Sequence, residues 1–248
     1  MRKIPPLDGA YWLLLISATV FGETGGDLLS QGMGAGYLMG TAVFLSLFAV
    51  AVGLQLTLKT EHPLLYWAVI ITTSTSGTTL SDYVTRTLHL GYGGGVLLMA
   101  AGLGAVLAAW RLGRHELRAD GAVPMPTEAL YWTGILAAST LGTAFGDLVA
   151  NASGLGFAGS TLLLAVLLAA VALSQRFVTR QRELVYWAAI VIVHPFGATA
   201  GDYLSKPDGL ALGPYQASAL LGAVFLAALA GSGAARRLAR LRKTAEPQ

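Results

Sequence analysis

The chain has 248 residues, 54% of them hydrophobic and only 12% charged, with a net charge of +3 and no cysteine. Soluble domains carry roughly a quarter charged residues. That deficit and a mean hydropathy of +0.62 exclude an ordinary soluble domain and place the chain among polytopic membrane proteins, while the lack of cysteine excludes disulfides, thiolate metal sites and cysteine nucleophiles.

The first ten residues are too short for a targeting peptide. The apolar run after them has full membrane length and no small-residue cleavage site, so it reads as a retained helix. The expected fold is all-α, with eight transmembrane helices near 11–30, 38–58, 64–84, 92–110, 130–150, 157–175, 185–205 and 213–235. Each can cross ~30 Å of hydrocarbon at ~1.5 Å per residue. Four helices form a first membrane half (1–118). A cytoplasmic linker (119–129) with Pro124 and Pro126 leads to the second half (130–235), and a basic tail (236–248) follows.

Charge gives the orientation. Of sixteen Lys and Arg residues, only Arg86 and Lys206 fall on one side. Arg2, Lys3, Lys59, Arg111, Arg114, Arg118, Arg176, Arg180, Arg182 and the tail cluster from Arg236 to Lys243 fall on the other. By the positive-inside rule both termini are cytoplasmic, in a bacterial-type inner membrane. The tail is expected to lie against anionic lipid.

The first helix opens with Tyr11 and Trp12 and ends with two carboxylates, Glu23 and Asp27. Its pattern recurs. A Tyr-Trp pair, a glycine eleven residues after the tyrosine and an aspartate sixteen after it also begin at Tyr66, Tyr131 and Tyr186. The starts are 55, 65 and 55 residues apart, as if a two-helix unit had doubled twice. Because each unit crosses twice, all four are parallel-oriented two-helix repeats around a central axis along the membrane normal. The odd helices carry the polar residues and are expected inside, the even helices outside.

This pattern resembles a family of bacterial integral membrane proteins made of four tandem two-helix repeats of unknown function, each with a characteristic tryptophan: here Trp12, Trp67, Trp132 and Trp187. The resemblance covers nearly the whole chain. It implies the repeat fold and brings no substrate or mechanism, so function is argued from the residues.

Positions eight, twelve and sixteen after each tyrosine share one helix face. They form three layers: Thr19, Ser74, Ser139 and His194; Glu23, Thr78, Thr143 and Ala198; Asp27, Asp82, Asp147 and Asp202. With the tryptophans as anchors at the cytoplasmic interface, the layers lie ~12, ~18 and ~24 Å further across the membrane. Two readings of the aspartates stand side by side. They cap short segments after helix-breaking glycines and bond to neighbouring hydroxyls, or they attract cations. Acids inside a membrane cost ~2.5–3.5 kcal/mol each at a helix centre, which a bound cation would relieve.

Glu23 and His194 break the fourfold pattern, and Pro195 removes a helical donor beside His194. The candidate metal ligands are therefore Glu23, Asp27, Asp82, Asp147, His194 and Asp202. Thr19, Ser74, Thr78, Ser139 and Thr143 are the candidate pathway-lining residues. Oxygen ligands with at most one imidazole suit Mn²⁺, Mg²⁺ or Ca²⁺, with Zn²⁺ or Fe²⁺ also accommodated and Mn²⁺ favoured.

The leading expectation is a cation transporter or channel, with a divalent metal as substrate and proton exchange at Glu23 or His194. The alternatives are a non-transporting sensor or assembly component, and an intramembrane enzyme. No protease motif occurs, so no catalytic residue and no resident cofactor are expected. The partners are the lipid bilayer and a metal cation or proton. Nucleic acid is not expected, and a homo-oligomer is compatible with the pattern.

Overall fold

The computed structural model describes residues 8–58, 62–116, 123–174 and 182–245, with Arg182 and residues 234–245 described by main chain alone. Arg2, Lys3, Lys59, Arg118, Arg176 and Arg180, used above for orientation, lie outside the described residues.

Among the described residues, eight α-helices follow one another: α1 (Gly9–Asp27), α2 (Gly36–Thr57), α3 (Pro63–Asp82), α4 (Gly91–Leu112), α5 (Met125–Ala152), α6 (Gly156–Ser174), α7 (Arg182–Ser205) and α8 (Gly213–Ala245). Two of the odd helices continue as π-helical turns, Leu28–Gly32 after α1 and Tyr83–Thr87 after α3. Local chemistry sets several starts. The Asp8 carboxylate accepts the Tyr11 N–H at 2.9 Å, an N-cap worth about 1 kcal/mol. Proline occupies the first turn of α3 and α5, where its missing N–H costs nothing. The even helices each begin at a glycine with positive φ: Gly36, Gly91, Gly156 and Gly213. There the chain reverses sharply, which glycine permits without Cβ strain.

Helix α5 begins within the segment expected as a linker, and α8 runs on through most of the segment expected as a tail. A strong helix start at Pro124–Pro126 and an Ala/Arg/Leu-rich C-terminal sequence explain both extensions.

The odd helices form a closed ring. Helix α1 packs on α3, α3 on α5, α5 on α7, and α7 returns to α1. The ring crosses the boundary between the halves with no break. Each even helix packs chiefly on the odd helix of the following repeat: α2 on α3, α4 on α5, α6 on α7, and α8 on α1. This one-step offset interlocks the four repeats.

Among the described residues, six helices are long and apolar enough to cross a membrane: α2, α4, α5, α6, α7 and α8. Helices α1 and α3 fall short on that measure because of their acids, hydroxyls and glycines. Both stand in the inner ring, where most of those polar side chains are buried against protein. The even helices turn Leu38, Leu47, Val50, Leu97, Leu162 and Leu226 outward. That belt of exposed apolar residues is consistent with lipid contact.

Candidate functional site

The polar face of each odd helix meets a glycine ladder on its neighbour. A Cβ placed on Gly22, Gly77, Gly142 or Gly197 would fall 2.2 Å from Ser74 Cβ, 2.3 Å from Ser139 Oγ, 2.4 Å from His194 Cβ or 2.6 Å from Thr19 Cβ. One turn on, Gly26 meets Thr78, Gly146 meets Ala198 and Gly201 meets Glu23. Each odd helix thus carries a small-x3-small ladder (Gly22/Gly26, Gly77/Ser81, Gly142/Gly146, Gly197/Gly201). Such ladders bring membrane helices into close van der Waals contact. The motif was present in the sequence, one turn beyond the glycine used to define the repeat.

These contacts revise the first layer. Thr19, Ser74, Ser139 and His194 are buried at the crossings between ring helices. Thr19 Oγ1 donates back to the Ile16 carbonyl at 2.9 Å. Among the described residues, Ser74 Oγ and His194 Nε2 have no hydrogen-bond partner. Helix α7 continues through Pro195.

In the second layer Glu23 reaches across the ring. Its Oε2 accepts from Thr78 Oγ1 at 2.9 Å and from Thr143 Oγ1 at 3.1 Å. Its stem packs on Gly201. One side chain, rooted on α1, therefore contacts the other three inner helices, and Thr78 and Thr143 line its site. Repeat four has Ala198 at this level, against Gly146 of α5.

The third layer splits into two pairs. Arg86 donates through Nε to Asp82 Oδ1 at 2.8 Å and through Nη2 to Asp147 Oδ2 at 3.0 Å. Its guanidinium lies 5.8 Å from the ring centres of both Tyr37 and Tyr92. Lys206 Nζ lies 2.6 Å from Asp202 Oδ2 and 3.7 Å from Asp27 Oδ2. Burial works against its charge, yet Asp202 and Asp27 outweigh it and hold the ammonium well above the usual lysine range. Gln31 Nε2 donates to Asp27 Oδ1, and Asn151 Nδ2 to the Asp147 carbonyl at 2.7 Å.

Gln31, Arg86, Asn151 and Lys206 each follow their aspartate by four residues. Amides thus alternate with cations around the ring. This signal was available at i, i+4 spacing. Arg86 and Lys206, set aside above as the two outer cations, are the partners of the aspartates.

The helix-break reading of the aspartates does not hold. The odd helices run through their glycines unbroken, and neither Asp27 nor Asp82 makes a side-chain cap bond. Glycine inside a helix tightly packed on neighbours is a contact surface, not a stop signal.

Of the six candidate ligands, three converge. Glu23, Asp27 and Asp202 each present a carboxylate oxygen, all within 4.8 Å of one another. Asp82 and Asp147 are engaged by Arg86. His194 does not join the group among the described residues, because its Cβ is directed at the Gly142 crossing. Asp202 Oδ1 is buried and lacks a hydrogen-bond partner among the described residues.

At the opposite end the four tyrosines close the axis. Their hydroxyls bond in a cycle: Tyr11 to Tyr66 at 3.1 Å, Tyr66 to Tyr131 at 3.2 Å, Tyr131 to Tyr186 at 2.7 Å, and Tyr186 to Tyr11 at 3.2 Å. Each tyrosine packs on the tryptophan of the next repeat, with centroids 5.4–6.2 Å apart. Trp67, Trp132 and Trp187 are accordingly buried inside the protein, not spread at a lipid interface as expected. Trp12 remains partly exposed. Adjacent aromatic residues point ~100° apart on a helix, so one enters the axis and the other fills the groove to its neighbour.

Comparison with known proteins fits this geometry. A family model described as Repeat of Unknown Function (DUF347) matches residues 10–60, 65–115, 130–181 and 185–237, four copies in tandem. No curated protein and no solved structure matches the chain. The chain belongs to the family of that repeat.

Proposed function

We propose that this four-repeat family member is an integral membrane transporter for a cation, with a divalent metal as substrate and Mn²⁺ favoured. The observation that carries the reading is the charge balance at one end of the ring. Glu23, Asp27, Asp82, Asp147 and Asp202 are all buried against two neighbouring cations, Arg86 and Lys206. Buried carboxylates in excess of fixed cations are costly in a membrane protein, and such groups mark ion or proton pathways.

Glu23, Asp27 and Asp202 offer hard oxygen donors, which suit Mn²⁺, Mg²⁺ or Ca²⁺ over softer ions. Thr78 and Thr143 orient Glu23. In the eight-span arrangement with cytoplasmic termini, the aspartates face the outside and concentrate cations at the mouth. The tyrosine ring then closes the cytoplasmic side. An axis bonded shut by the tyrosine cycle at one end and carrying the charged groups at the other supports a transporter that changes state over an open channel.

The test is Mn²⁺ uptake into proteoliposomes, compared among wild type, Glu23→Gln and Asp202→Asn. Uptake in the wild type and its loss in both variants is the expected result. Equal flux in all three removes this cluster from any transport role. Metal binding without flux would favour the sensor reading instead.

A further inference from the structure

We propose that Lys206 is a tethered counter-ion that holds the carboxylate cluster in the absence of substrate and that the incoming cation displaces. The inference rests on the cation reading above and deepens it. Lys206 engages two of the three carboxylates that converge: Asp202 at 2.6 Å and Asp27 at 3.7 Å. A second observation points to a ligand here. The other oxygen of Asp202 is buried and unpartnered among the described residues, so the ammonium satisfies the cluster only in part.

The lysine is built to move, and the arginine at the equivalent place in repeat two is not. Arg86 bonds one oxygen on each of two aspartates and is flanked by Tyr37 and Tyr92. A planar guanidinium held at two points is fixed in place. Lys206 is a point charge on a flexible four-carbon stem, with one close contact and one long one. Its Nζ already lies 5.3 Å from the Phe157 ring centre. That ring face, at the start of α6, can receive an ammonium leaving the carboxylates.

Displacement changes the energetics of the cycle. The empty site is partly neutralised by the protein's own cation, so Asp27 and Asp202 keep a counter-charge between rounds. The same contact weakens substrate binding by the fraction of time the lysine occupies the site. Release is eased accordingly, because the lysine returns as the metal leaves.

Two measurements test this on the purified full-length protein. In the first, Mn²⁺ affinity is compared among wild type, Lys206→Met and Asp202→Asn. Lys206→Met should bind about tenfold more tightly, and Asp202→Asn should lose binding. The second is read on the wild type, with Asp202→Asn as a control, so its main result does not depend on a variant folding. Lys206 is labelled with acetic anhydride and quantified by mass spectrometry with and without Mn²⁺. A displaced ammonium becomes more reactive when metal is added, and Asp202→Asn should abolish that increase. Reduced or unchanged labelling on metal addition, with no gain in affinity for Lys206→Met, overturns the inference while Asp202-dependent binding leaves the cation reading standing. If neither wild type nor Lys206→Met binds Mn²⁺, Mg²⁺ or Ca²⁺, both fall together.

Discussion

The two ends of the inner ring are built from the same four helices, yet they solve opposite problems. At the tyrosine end, four equal side chains form one closed cycle. At the aspartate end, four equal side chains divide into two pairs. The difference lies in the hydrogen-bonding capacity of the groups. A phenol both donates and accepts, so four phenols satisfy one another around a ring. A carboxylate only accepts and carries charge, so four of them repel and need donors from elsewhere. Arg86 and Lys206 supply those donors unequally, and the fourfold pattern of side-chain bonds gives way to two unequal pairs at that end.

The largest effect is expected where the comparison is sharpest. Arg86→Leu would leave Asp82 and Asp147 buried without their cation. Breaking such a pair costs about 3 kcal/mol, the low end of the usual range, since the Arg86 side chain is 32% exposed. The melting temperature in detergent should fall clearly, and an unchanged value would mean the two pairs are not distinct.

Next comes the other pair. Asp202→Asn should weaken Mn²⁺ binding by more than ~100-fold, since even outer partners of a metal site contribute up to that much and Asp202 is placed among the ligands. Asp82→Asn should leave binding within about twofold, as expected of a site outside the cluster. Equal losses in titration calorimetry would erase the distinction between the halves of the mouth.

Between the two ends, Gly142→Ala tests the ladder that holds the ring together. Its new Cβ would meet His194 Cβ at 2.4 Å and main-chain atoms of α7 at 2.9 Å. The cost is about 1–2 kcal/mol, after the gain in helix propensity is offset against overpacking. Gly102→Ala on α4, where nothing lies within 4 Å, is the control and should be neutral or slightly stabilising by thermal melt.

The smallest effect belongs to the tyrosine end. Tyr66→Phe removes one hydroxyl from the cycle and costs about 1 kcal/mol, because the remaining three can still bond in a chain. A loss as large as that for Arg86→Leu would show that the neutral ring matters as much as the charged one.

Much of the architecture could be read from the residues. The Tyr-Trp…Gly…Asp repeat predicted four units, and the 120-residue spacing between halves predicted their relation. The three polar layers followed from four-residue steps. Glu23 stood out because Thr78, Thr143 and Ala198 occupy its place in the other repeats. The tryptophans were misplaced because an aromatic pair at a helix start has the same sequence signature at a lipid interface as in a packed groove. His194 was drawn into the metal site because a layer defined by sequence position says nothing about which way a side chain leans.

Periodicity is a property of one helix, so the amino-acid order sufficed for the helices, the repeats and the face on which the polar groups lie. Pairing is a property of several helices at once. That Glu23 joins Asp27 and Asp202, that Arg86 takes Asp82 and Asp147, and that the tyrosines close upon each other depends on ring closure and on the one-step offset between repeats. Neither leaves a mark in the local sequence beyond the i, i+4 pairs, because the contacts that join different helices are made between residues 55 or more positions apart.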